Sequence, residues 1–179
     1  MRKGIALLCI ALLLCCVCSS SLAYLQSNTE EMVNELTGVV VRTEITEEFD
    51  PEEAKNIVPG QEVDKAPRMK NTGTIDEYLI MKVKYVSTGS TTAAVLKNQY
   101  LTLMGISDDW TVVADGDDYS VFYYNTPVQP GEYTSALFTR VRISSNWVDT
   151  CGFSIDLTGA AIQAEAVDIT TVNVAGLFE

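Results

Sequence analysis

The chain has 179 residues, a formal charge of −12, no histidine and five cysteines. That length suits one domain with a substantial core. The missing imidazole excludes histidine-ligated zinc, Ser-His triads and Cys-His dyads, and the acidic balance argues against a nucleic-acid or anionic-lipid surface.

Arg2 and Lys3 open the chain, and a nearly unbroken apolar stretch of 15 residues follows, Gly4 to Cys18. A membrane-spanning helix needs about 20 apolar residues, so this is the core of a signal peptide rather than an anchor. Ser21-Leu22-Ala23 places small residues at −3 and −1, so cleavage is expected between Ala23 and Tyr24. Residues 1–23 form the signal, and membrane contact is expected only through its uncleaved form. Taking 23 from 179 leaves 156 residues, and losing Arg2 and Lys3 moves the charge from −12 to −14. Cys9, Cys15, Cys16 and Cys18 leave with the signal. Cys151 then has no internal partner and reads as a small buried hydrophobe, with an intermolecular disulfide as the sharper alternative.

Residues 24–36 form an N-terminal arm with weak structure signals. Ser27 to Glu30 fits a capping box, with Met32, Val33 and Leu36 on one face, although a mobile arm is equally compatible. The domain proper is expected over 37–179. "TGVVVRTEI" (37–45) is rich in β-branched residues and predicts a strand. "EEFDPEEAKNIVPG" (47–60) breaks it, with Asp50-Pro51 as a helix start and Pro59-Gly60 as a stop. "QEVDKAPRMKNTG" (61–73) suits an edge strand, because Pro67 cannot donate to a ladder, and its "NTG" is a turn. In "IDEYLIMKVKYVS" (75–87), Leu79, Met81, Val83 and Tyr85 alternate with Ile80, Lys82 and Lys84, which predicts a strand with one apolar and one wet face.

Within "AAVLKNQYLTLMGI" (93–106), Ala93, Leu96, Tyr100 and Leu103 recur at helical spacing, and Tyr100 to Met104 also fits a strand. "WTVVADGDDYSVFYYN" (110–125) predicts a hairpin turning at Asp115-Gly116. "TPVQPGEYT" is a long turn, "SALFTRVRIS" (135–144) an imperfectly alternating strand. "CGFSIDLTGAAIQAEAV" (151–167) sets Phe153, Ile155 and Leu157 against Ser154, Asp156 and Thr158. A last β-rich run, "DITTVNVAGLF", ends the pattern. Many short strands punctuated by turns, with one or two short helices, predict an all-β, antiparallel β-sandwich.

Several segments carry a resemblance beyond this pattern. "LAYLQSNTEEMVNELTGVVVRTEI" resembles the start of TasA/camelysin-like exported proteins. "NIVPGQEVDKAPRMKNTGTIDEYLIMKVKY" (56–85), "LTLMGISDDWTVV", "PGEYTSALFTRVRI" and "IDLTGAAIQAE" resemble later segments of the family in the same order. The resemblance implies a jelly-roll-like sandwich, secreted by Gram-positive bacteria into the extracellular, cell-surface matrix. It implies processing by a SipW-type signal peptidase. It also implies self-association, or association with a related matrix fibre protein, in which the freed arm adds as a strand to a neighbouring subunit. "YLQSNTEEMVNEL" is interrupted by Glu30, Glu31 and Glu35, so "LTGVVVRTEI" (36–45) is the better-patterned donor, and it equally suits a strand of its own domain. A monomeric surface-binding or adhesion module is the alternative.

Camelysin-like relatives also bring a metallopeptidase reading, which a chain without histidine does not readily support. No catalytic, cofactor or metal residue is singled out. Asp115, Asp117 and Asp118 cluster as calcium ligands would, but their spacing is not that of a calcium loop, and Asp108 and Asp109 read likewise as turn residues. The acidic run Glu44 to Glu53 reads as a solvated face. Tyr119, Phe122, Tyr123 and Tyr124 read as core and cross-strand partners.

Overall fold

A computed structural model of the chain describes residues 39–49, 57–147, 152–165 and 167–178. The signal, the Ala23–Tyr24 junction, the arm 24–36, the helix start at Asp50 and Cys151 lie outside the described residues. Eight strands follow in order: β1 (Thr43–Phe49), β2 (Glu62–Asn71), β3 (Glu77–Ser87), β4 (Leu101–Met104), β5 (Trp110–Asp115), β6 (Tyr119–Tyr124), β7 (Arg140–Ile143) and β8 (Phe153–Gln163). They form two four-stranded antiparallel sheets, β1-β2-β7-β4 and β5-β6-β3-β8. This is an all-β, jelly-roll-like sandwich. The main core lies between the sheets, around Met69, Leu79, Met81, Leu96, Leu137 and Phe138.

The strongest local signals are realised. β3 buries Leu79, Met81, Val83 and Tyr85. The 110–124 hairpin forms, with a bulge between Val112 and Ala114. Phe122 joins the core, and Tyr124 packs edge-on against Trp110 with ring centroids 5.2 Å apart. The chain turns at Pro59-Gly60, where Gly60 has a φ of 85° that a Cβ would disfavour. Residues 93–104 hold both expected structures. The helix α1 (Ala93–Val95), capped by the Thr92 hydroxyl, runs through a π turn at Leu96–Tyr100 directly into β4.

Five expectations need correction. The first strand is shifted: Thr43 to Phe49 pair with β2, so Glu47 and Glu48 continue the strand that they were expected to break. Second, β2 is an inner strand, with β1 on one side and β7 on the other. Pro67 is accommodated because β7 has ended there: Asp64 opposite Arg140 is its last pair with β2. Irregular chain continues alongside, and Leu137 donates to the Pro67 carbonyl while Thr134 Oγ1 accepts from Met69 N.

Third, strand structure in 135–144 is confined to Arg140–Ile143. Leu137 and Phe138 are adjacent yet both fully buried, which an alternating strand does not allow. Fourth, "DITTVNVAGLF" makes two 3-10 turns, Ile169–Thr171 and Ala175–Phe178, instead of a strand. Asp168 nucleates the first by accepting from the Thr170 amide and hydroxyl. This tail lies over the outer face of the second sheet, where Ile169 and Val174 cover Ile80 and Val121. Fifth, the outer face of β3 is therefore partly apolar and covered, not wet throughout.

Candidate functional site

Among the described residues each sheet ends in two edge strands, and the four differ in how open they are to pairing. β4 has only four residues. β5 is bulged, and β1 carries Glu44, Glu47 and Glu48 among its seven residues. β8 has 11 residues, contains no proline, carries one charge, Asp156, and pairs with β3 without a register shift. Short length, charge, proline and bulges are the devices that keep a free edge from pairing. β8 lacks all but its single charge.

The packing behind β8 is also incomplete. Phe153, Ile155 and Leu157 face the core but are only half-buried. Beneath the first two, an apolar slot of about 280 Å³ opens between the sheets. Val63, Val141 and Ile143 line it from the first sheet together with Lys65 and Glu47, which form an ion pair in its wall. Farther along β8 the sheets close at Gly159. A Cβ there would lie 2.8 Å from Met69 Cε and 3.3 Å from Ile45 Cγ1. Alternate β8 residues can offer main-chain N–H and C=O groups to an incoming strand, while the slot receives a side chain from it.

The acidic turn is organised by a lysine. Lys97 Nζ donates to Asp115 Oδ1 and to the carbonyls of Gly116 and Tyr119, and Ser120 Oγ adds a 2.6 Å bond to Asp115. The Lys97 and Ser120 hydrogen bonds hold the Asp115 carboxyl below the usual carboxylate range. Among the described residues, no three acidic or cysteine side chains converge as a metal site would require. Asp109 accepts from Ser107 in its own loop and from Ser135 in the segment between β6 and β7.

Glu77 is a further residue of interest, one that no sequence motif singles out. It occupies the same face of β3 as Leu79 and Met81 and is fully buried. Its Oε1 accepts from Arg42 N at 3.0 Å, and its Oε2 has no hydrogen-bond partner among the described residues. Burial raises its pKa, and the Arg42 hydrogen bond only partly offsets this. The signal was legible: continuing the Leu79–Met81–Val83 alternation back by two residues reaches Glu77.

Among the described residues, no helix is long and apolar enough to cross a membrane. No family model matches the chain, and no curated protein matches it. A similar solved structure is the crystal structure of a complex between a CaDoc0917 variant and CaCohA2 at pH 5.5. The two share 14% identity over 58% of this chain and 79% of that chain, with a TM-score of 0.35, a likeness too slight to support any argument about function.

Proposed function

We propose that this is a secreted structural protein of the cell envelope or biofilm matrix, which polymerises by donating its N-terminal segment to β8 of the next copy. The supporting observation is the 11-residue β8, an edge strand among the described residues with no proline or bulge, beside a largely apolar slot. Extended chain rises about 3.3 Å per residue, so the arm 24–36 has sufficient length to lie along β8. Added strands of this kind satisfy an edge's main-chain groups. The donor and acceptor are different surfaces, so the contact repeats head to tail and makes a filament.

The donor must come from residues before Thr43, because Thr43, Glu44 and Ile45 are already paired with β2. This removes the C-terminal part of the "LTGVVVRTEI" donor suggested by sequence. The resemblance to TasA/camelysin-like proteins points to the same assembly and to a SipW-type peptidase that frees the arm at Tyr24.

Two purified chains test this, one beginning at Tyr24 and one at Val39. Electron microscopy and sedimentation are expected to show filaments for the longer chain and monomers for the shorter. A monomeric Tyr24 chain at every concentration would count against polymerisation and in favour of a surface-binding module. Protease activity that is lost with a chelator would favour the metallopeptidase reading.

A further inference from the structure

The segment just before β1 is fastened to the domain by a small set of contacts around Glu77. Arg42 N donates to Glu77 Oε1, and the Arg42 carbonyl accepts from Thr72 N. The Val40 carbonyl accepts from Thr74 N, while Val40 N donates to Thr74 Oγ1. The side chains of Val39, Val40 and Val41 are exposed, so little apolar burial reinforces these bonds.

Gly73 makes the approach possible. A Cβ at this position would lie 2.1 Å from Glu77 Oε1 and 2.3 Å from the Val40 carbonyl oxygen. Asn71, also fully buried, shapes the turn by accepting from Gly73 N and donating to the carbonyls of Ile75 and Val128.

We propose that Glu77 is a proton-operated latch for the root of the N-terminal arm: its neutral form holds residues 40–42 on the domain, and its ionised form releases them. The chemistry follows from the surroundings. A neutral carboxyl tolerates a buried site with one hydrogen bond, whereas a carboxylate there has exchanged bulk solvent for a single N–H donor from the described residues. Lifting residues 40–42 readmits water to it. No charged side chain among the described neighbours offsets the ionised form. Arg42 meets Glu77 through its main chain and its side chain is exposed. Asn71, Gly73 and Thr74 in the turn are neutral, as are Val128, bridged to Glu77, and Gln163, opposite it on β8. Asp76 is exposed.

The sign rests on the buried, unpartnered Oε2: solvent reaching it on opening favours the carboxylate by more than the one Arg42 N–H bond that opening removes, and the net direction of the shift agrees. A carboxyl with a raised folded pKa contributes stability below its unfolded pKa, and that contribution is lost as pH rises through the folded value. The latch is therefore closed in acid and open above the Glu77 titration.

Hydrogen exchange on the chain beginning at Tyr24, corrected for intrinsic rates, tests the latch independently of the assembly reading. Protection of the Arg42, Thr72 and Thr74 amides should fall up to about tenfold per pH unit above the Glu77 titration, while Leu79 to Val83 stay protected. Glu77→Gln should remove that pH dependence. Gly73→Ala should leave the three amides unprotected at every pH with β3 intact. A flat wild-type profile, or the same slope in Glu77→Gln, would overturn the latch, and so would full protection in Gly73→Ala.

Discussion

Lys97 shows how one side chain can organise two elements. From the π turn before β4, its ammonium meets the carboxylate and two carbonyls at the 115–119 turn. Lys97→Met keeps the stem but removes all three bonds, and chemical denaturation is expected to show a loss of about 1–2 kcal/mol. The Asp115 pKa is lowered by this lysine, so the stabilising contribution is present above the unfolded pKa and lost as pH falls through the folded one. The acid-dependent part of stability should accordingly shrink in Lys97→Met; an unchanged acid profile would remove Lys97 as its cause. Nothing local in "KNQY" announces this role, because its acceptors are 18 to 22 residues away. Glu77 differs: its place on the apolar face of β3 is readable from alternation alone, but the Arg42 amide it meets 35 residues away is not.

Elements were legible where local pattern and tertiary setting agree. The alternation of β3 and the Asp115-Gly116 hairpin state their own pairing. β2 was misplaced because Pro67 disfavours a central ladder locally, while the sheet accommodates it where β7 stops. The tail was misread because β-branched residues suit burial on a sheet face as well as pairing within a sheet. Its contribution can be measured. Ile169, buried beside Ile80 and Val121, should cost about 2–4 kcal/mol when changed to alanine. Leu177, 45% exposed, should cost nearly nothing. Equal effects would mean that the tail does not pack as a cover. The candidate edge permits a matching test. Ser154 and Thr158 are exposed on β8 and Thr158 stands opposite Lys82, so Ser154→Lys with Thr158→Glu should leave the melting temperature nearly unchanged while blocking filaments. Filaments forming at the wild-type rate would place the acceptor elsewhere.

Across the whole molecule, the sequence identifies a sandwich but does not specify which edge remains open. That depends on the order β5-β6-β3-β8, a consequence of long-range pairing that no single segment encodes. Charge also acts at this scale. Copies beginning at Tyr24 would carry about −14, from −12 less Arg2 and Lys3, and would repel at low ionic strength, so adding salt should speed filament growth, followed by light scattering. Slower growth in salt would instead point to an attraction between oppositely charged patches.

The ladder beneath the proposed site also has a mechanical consequence. β3 is joined to β8 along all 11 residues and to β6 along five more pairs. Tension along a strand seated on β8 would enter the domain parallel to these strands. Many hydrogen bonds would then share the load in shear, whereas a pull across the sheet would open them in succession like a zipper.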